Sequence, residues 1–271
     1  MLGNLLMKKI LKASDVVNSY EPTHEDRARL VKKPHCFKLS GDGVFHSIQG
    51  EGPFMGQPTT FIRLHFCNLC CNYCDSFYTW LPKSKEYWKE PFDISVHDLH
   101  AEIRKAQEQK GIKITKHVYS ITFTGGEPLL HKAEIEEFMR LYPQYKVQIE
   151  TNGTIMPSDY LLEHAYFNCS PKLSNSGNLK TRRINTDVIC KLRDVKTYFK
   201  FVCRNDQDID EMLLDFGIWL QREQIWIMPE GVLLKENAQY SKQMMSRILS
   251  EGFNISPRLQ NLLFGGAKRR V

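Results

Sequence analysis

The chain has 271 residues, enough for one large domain with a sizeable core or for a domain with an extension. With 42% apolar and 25% charged residues it has the composition of an ordinary globular protein, and its net charge of +6 is met as well by a solvated basic surface or an anionic small ligand as by nucleic acid, which is not expected as a partner. No run approaches membrane-spanning length. Four of the eight cysteines crowd one loop while Cys36, Cys169, Cys190 and Cys203 are scattered, which excludes a secreted disulfide framework and fits a reducing cytoplasm.

Met1 to Leu11 mixes Lys8 and Lys9 with apolar residues but lacks a continuous hydrophobic stretch and a small-residue cleavage site, so no signal peptide is expected. Residues 1–39 read as an N-terminal extension. Its charged middle, His24 to Lys33, ends at Pro34 and is either a short helix packed on the body or a mobile arm. Residues 40–271 are expected to form the main domain.

Gly43 to Gly52 is a short extended run ending in a Gly-x-Gly turn, with Gln49 and Glu51 offering an amide and a carboxylate side by side. Taken alone, it is a plain loop. Phe61-Ile-Arg-Leu-His-Phe66 then reads as a strand carrying Arg63.

Directly after that strand stand Cys67, Cys71 and Cys74, at Cys-x3-Cys-x2-Cys spacing. Three thiolates on one short loop can each hold a corner of a four-iron cluster. The fourth iron then lacks a protein ligand, which suits a cluster that binds a small molecule directly. The extra thiol, Cys70, allows a second parse into abutting pairs, Cys67/Cys70 and Cys71/Cys74, as a four-sulfur zinc site. Structural zinc pairs need a longer spacer to close tetrahedrally, so that geometry is strained. A thioredoxin-type dithiol opens a helix and needs only two sulfurs. Cys70 reads as a bystander.

After Trp80 the polar stretch Leu81 to Pro91 looks like a surface excursion. Ser95 or Asp98 caps a helix in which Val96, Leu99, Ile103 and Ala106 recur at helical spacing. Val118 to Phe123 reads as a buried strand ending in Thr124-Gly-Gly-Glu-Pro128, and Ile135, Phe138, Met139 and Tyr142 mark a second amphipathic helix. The alternation continues with strands at 145–150, 166–169, 197–203 and 224–228, and with helices near 207–221 and 235–250. Alternating strands and helices predict a parallel sheet covered by helices, here an α/β fold with about six repeats: a partial, laterally open (β/α)6-type barrel with an N-terminal extension. Ligands bind beyond the carboxyl ends of such strands, where the cysteine loop, Gly-Gly-Glu-Pro, Thr151-Asn-Gly, Ser170-Pro-Lys172 and Pro229-Glu-Gly231 all fall.

The cysteine spacing with Tyr73 before its last cysteine, together with Gly125-Gly-Glu-Pro128 after a strand, resembles the radical S-adenosylmethionine superfamily. Within it, Ser47-Ile-Gln-Gly-Glu-Gly52, Phe61-Ile-Arg63, Cys74-Asp-Ser76, Glu150-Thr-Asn-Gly153, Ser170-Pro-Lys172 and the tail from Arg258 resemble the 7-carboxy-7-deazaguanine synthase family, from about residue 42 onward. The resemblance implies a carbon–nitrogen lyase that contracts the ring of 6-carboxy-5,6,7,8-tetrahydropterin with loss of ammonia. It also implies a 4Fe–4S cluster on Cys67, Cys71 and Cys74, S-adenosylmethionine, and Mg²⁺ at Ser76. Tyr73, Cys74, Asp75, Gly125, Gly126, Glu127, Ser170 and Lys172 are the implied cofactor contacts. Ile48, Gln49, Gly50, Glu51, Arg63, Thr124 and the terminal carboxylate of Val271 are the implied substrate contacts. The implied partners are a flavodoxin- or ferredoxin-type electron donor and a second copy in a homodimer.

Bland readings stand beside these: Arg63 as a surface strand residue, Ser76 as a turn cap, Glu127 as an indirect contact. A glycyl-radical activating enzyme would share the cysteine loop without needing the Gln-Gly-Glu run. The tail also departs from the family, with Gln260 and Phe264 where His and Trp are common and a longer, more basic ending from Gly265 to Val271.

Overall fold

The computed structural model describes residues 13–16, 19–112 and 119–265. Its frame is a nine-stranded sheet among these residues, in the order β3-β1-β2-β4-β5-β6-β7-β8-β9. The strands are β1 (Cys36–Ile48), β2 (Pro58–Leu64), β3 (Phe92–Ser95), β4 (Ser120–Gly125), β5 (Lys146–Thr151), β6 (Tyr166–Cys169), β7 (Thr197–Cys203), β8 (Ile225–Pro229) and β9 (Asn254–Ile255). From β2 through β9 every neighbouring pair is parallel, whereas β1 lies antiparallel to both β2 and β3. The sheet therefore ends at β3 and β9 and is not closed into a barrel, as the repeat count predicts.

All six expected strands are present, two of them with the expected bounds; Val118, the expected start of one, lies outside the described residues. β2 stops at Leu64 because Phe66 turns the chain with φ +75, a left-handed conformation that strands do not use. The helices are α1 (His24–Arg29), α2 (Lys85–Lys89), α3 (Val96–Glu108), α4 (Lys132–Leu141), α5 (Asp159–His164), α6 (Lys180–Arg183), α7 (Thr186–Arg193), α8 (Asp206–Phe216), α9 (Leu234–Glu251) and α10 (Leu259–Phe264).

Alternation along the strands separates two faces. Ile121 and Phe123, Val147 and Ile149, Phe199 and Phe201 point into one continuous core with Leu99, Ile103, Phe138, Ile189, Met212 and Ile248 of the covering helices. Each fully buried Phe, Leu or Ile side chain contributes roughly 1.5–3 kcal/mol. The residues between them, Thr124, Glu150, Asn168 and Lys200, face the other way and line a cavity.

Part of the N-terminal extension is tied to this body. Thr23 caps α1, and the buried Asp26 accepts from Tyr20 Oη (2.9 Å) and Thr23 N (2.9 Å) and pairs with Lys89 (2.8 Å). Lys38, fully buried on β1, pairs with Asp93 (2.7 Å) and donates to Arg29 O (2.6 Å). β1 begins at Cys36, ahead of the boundary drawn at residue 40, and its Phe37 and Leu39 belong to the core. Ahead of α1, Ala13 N donates to Cys74 O (3.2 Å) and Ser14 N to Asn72 O (3.3 Å), so this segment lies against the cysteine loop.

Candidate active site

A cavity of about 370 Å³ opens at the carboxyl ends of the parallel strands. Apart from Glu127 and Val271, every residue given a metal, cofactor or substrate contact from the sequence lines it. Val271 lies outside the described residues.

The cysteine loop forms one wall. Cys67, Cys71 and Cys74 are wall residues, whereas Cys70 is exposed and not among them. Burial pushes the Cys67 and Cys74 thiols up to about 12, and it raises Cys71 against the opposing pull of Lys172 and Asn178. As free groups all three are thiols, and taking up iron means releasing their protons. Three sulfur donors facing one space, with no fourth cysteine among the described wall residues, fit a four-iron cluster that has one iron open to a ligand.

Gly125 and Gly126 set that loop against β4. A Cβ on Gly126 would lie 1.8 Å from Phe66 O, and one on Gly125, whose φ is +124, would lie 2.2 Å from Leu64 O. Gly126 N donates to Leu64 O (3.1 Å) and Glu127 N to Phe66 O (2.8 Å), extending the ladder past the strand ends. The resemblance makes these glycines cofactor contacts; in the structure they make room for the backbone that leads into the cysteines.

Glu127 sits behind the wall, fully buried. Its carboxylate accepts from Leu129 N (3.0 Å), Thr151 Oγ1 (2.8 Å) and Asn152 N (2.7 Å), so it welds the Gly-Gly-Glu turn to the end of β5. Burial raises its carboxyl pKa against those hydrogen bonds. Nearby, burial pushes His65 down to about 3 and His131 to about 4. Both imidazoles are neutral, and His131 Nε2–H donates to His65 O (3.1 Å).

The opposite wall is polar. The Gln49 amide donates to Glu150 Oε1 (3.3 Å) and Gln148 Oε1 (3.4 Å), and Thr124 donates to Glu150 Oε2 (2.6 Å). Glu51 pairs with Lys200, accepts from Gln260 Nε2 (3.0 Å) and lies 3.5 Å from Arg258 Nε. Burial alone would raise the Glu51 carboxyl; Lys200 and Arg258 instead hold it at about 2. Asp75 likewise overcomes burial through Arg258 and Arg63, also to about 2.

Arg63 lies over the Phe45 ring (5.6 Å) and donates to Ser76 Oγ (3.2 Å), whose hydroxyl donates to Asp75 Oδ1 (3.2 Å). At the end of β6 Lys172 Nζ donates to Ser170 Oγ (2.8 Å). The tail closes the cavity: Leu259 N donates to Gly50 O (3.0 Å), Ser256 Oγ accepts from Gly52 N (2.9 Å), and a Cβ on Gly50 would meet Gln260 Oε1 at 1.8 Å.

Sequence reasoning missed Lys200, Glu150 and Arg258 as wall residues. Lys200 carried a signal, a cation between Phe199 and Phe201 in a buried strand. Glu150 stood at the head of a quoted motif, and Arg258 opened the quoted tail.

The profile of the Radical SAM superfamily matches residues 61–166. A 7-carboxy-7-deazaguanine synthase of Rickettsia prowazekii is 32% identical over 181 residues, covering 66% of this chain and 70% of the relative. One of Hyperthermus butylicus is 32% identical over 232 residues, covering 81% and 90%. Among solved structures, the crystal structure of QueE from Escherichia coli is similar in fold at a TM-score of 0.62 and 20% identity, covering 88% of this chain and all of that one. With its open parallel sheet, its three-cysteine wall and these relatives, the chain belongs to the 7-carboxy-7-deazaguanine synthase family of the radical SAM superfamily.

Proposed function

We propose that this chain converts 6-carboxy-5,6,7,8-tetrahydropterin into 7-carboxy-7-deazaguanine with release of ammonia. The observation that carries the reading is the sharing of one cavity by the three thiols and by the Gln49, Glu51 and Arg63 side chains. The names of the relatives support it over a glycyl-radical activating enzyme or a zinc module. Cys67, Cys71 and Cys74 would hold a 4Fe–4S cluster, which would supply the one-electron reduction of S-adenosylmethionine on which the hydrogen abstraction depends.

The chain's own residues bind and orient. Tyr73, Cys74 and Asp75 would contact the adenine of S-adenosylmethionine. Gly125 and Gly126 keep the methionine side open, with Ser170 and Lys172 offering a hydroxyl and an ammonium from the end of β6, two strands away. Glu127 acts on the cofactor through the turn, the Thr151 hydroxyl and the Asn152 N–H that it holds.

For the substrate, the Arg63 fork suits the pterin carboxylate. Ile48, Gln49 and Gly50 present backbone groups and an amide to the aminopyrimidinone edge. Glu51, ionised between Lys200 and Arg258, accepts its N–H donors, and Thr124 adds a hydroxyl. The resemblance assigns one more substrate contact to the carboxylate of Val271, which lies outside the described residues.

Mg²⁺ wants hard oxygen ligands, and the Ser76 hydroxyl and Asp75 carboxylate offer them. Both oxygens contact guanidinium groups, Arg63 and Arg258, so Ser76 and Asp75 would hold Mg²⁺ only with those contacts given up, which would leave the Arg63 fork free for the substrate. The same reading makes residues 40–271 the catalytic domain of a cytoplasmic homodimer that takes electrons from a flavodoxin- or ferredoxin-type donor.

The test is anaerobic cluster reconstitution followed by incubation with carboxytetrahydropterin, S-adenosylmethionine, Mg²⁺ and a reductant. Mass spectrometry should find the contracted ring. A brown, reconstituted protein that cleaves the sulfonium compound yet leaves the pterin untouched would refute the substrate assignment.

A further inference from the structure

The segment between Ser174 and Arg183 cradles the outer side of the cysteine loop. Ser176 O accepts from Asn72 N (3.0 Å), Arg182 Nη2 donates to Asn68 O (2.8 Å), and Asn178 lies between them. The Asn178 Oδ1 accepts from Cys70 N (2.9 Å), while its Nδ2 donates to Cys71 Sγ (3.3 Å) and to Ser176 Oγ (3.2 Å).

These contacts fix which way the amide faces. The Ser176 hydroxyl gives its one proton to Leu173 O (2.7 Å), so it can only accept from Asn178. Turning the amide over would set its oxygen against the sulfur and its NH₂ against the Cys70 N–H. Both amide hydrogens and the oxygen are therefore committed, with one N–H aimed at a sulfur in the cavity wall.

We infer that Asn178 is a positioning residue that raises the reduction potential of the cluster by donating an N–H···S hydrogen bond to the Cys71 thiolate. Reduction adds negative charge to the cluster and its sulfur ligands, so a donor directed at one of those sulfurs stabilises the reduced form more than the oxidised form. The bond also restrains the loop, because the same amide holds the Cys70 backbone. This inference rests on the proposal that Cys71 is a cluster ligand.

The experiment is a redox titration of the reconstituted protein, followed by electron paramagnetic resonance without S-adenosylmethionine, beside iron and sulfide analysis. Asn178→Leu keeps the size and removes the donor without adding charge. It should lower the one-electron reduction equilibrium roughly fivefold, about 40 mV at ~59 mV per tenfold. Asn178→Asp keeps an acceptor for the Cys70 N–H but turns a carboxylate toward the sulfur, and should lower it further.

A full iron complement with an unchanged potential in both variants overturns the inference. Loss of iron from both overturns it too, because the amide would then be only a clamp on the loop. A wild-type protein that takes up no four-iron cluster fails the parent reading instead, and is told apart by the same iron analysis.

Discussion

Arg258 and Asp75 stand 183 positions apart, and a guanidinium–carboxylate hydrogen bond joins them. The same guanidinium lies 3.5 Å from Glu51 Oε1 and donates to Gly231 O (3.1 Å), so one side chain ties the tail to three loops of the cavity. Arg258→Ala removes the cation that Asp75 and Glu51 share, leaving Glu51 to Lys200 and Asp75 to Arg63. Stability should fall by about 2 kcal/mol, less than for a fully buried pair because the Asp75 side chain is 36% exposed. Turnover per KM should fall at least tenfold by the same loss of order. Arg258→Lys restores charge without the fork and should recover more stability than turnover. Denaturant melts and steady-state rates on the same samples check both.

The two adjacent thiols should behave differently. Cys71→Ala removes a buried wall sulfur and should abolish both cluster uptake and turnover, whereas Cys70→Ala, at an exposed position outside the wall, should leave both largely intact. Iron, sulfide and the visible spectrum read this directly. Equal damage from the two substitutions means that the ligands have been misassigned.

Gly126→Ala places a methyl where the Phe66 carbonyl stands, and backbone cannot swing aside as a side chain can. The expected cost is about 3 kcal/mol with loss of iron uptake. Gly56→Ala is the control. Its φ is +85, but a Cβ there meets nothing within 4 Å, so only the left-handed backbone penalty of about 1 kcal/mol applies. Thermal melts of the two variants should differ accordingly, and matching shifts would contradict the close approach.

The charged wall should make the protein sensitive to acid. Glu51 is lowered from 4.5 to about 2, and Asp75 from 3.8 to about 2. For carboxyls depressed in the folded state, the stability they contribute is complete above the higher value of each pair and is lost as pH falls toward the lower. The denaturation midpoint should therefore drop between about pH 4.5 and 2, and Glu51→Gln should flatten that drop while leaving the slope above pH 6 unchanged. Parallel curves for the two proteins would show that Glu51 carries no such linkage.

The repeats were legible because their periodicity is local. β6 and β7 are bounded by polar turns and fall where their apolar runs do. β1 was not seen as a long strand, since Gly41 and Gly43 interrupt it and its register shifts between Leu39 and Val44. The four residues of β3 and the two of β9 are too few for a pattern to register, and both strands are held by their neighbours. In the site, the cysteine spacing announces itself within eight residues. Lys200 could not be paired in advance, because its partner Glu51 is 149 positions away. Glu127 shows the converse: its motif was plain, but only the fold buries its carboxylate against Thr151 and Asn152, one layer behind the cavity wall.

Contact between the Ala13 and Ser14 amides and the cysteine loop has a practical consequence, since Leu259 closes on the cavity from the other end of the chain. A run of histidines introduced just ahead of Ala13 or just beyond Leu259 would be tethered beside this chamber, where it would compete for iron during reconstitution. Preparations meant for metal stoichiometry should have any such run cleaved off before iron is added.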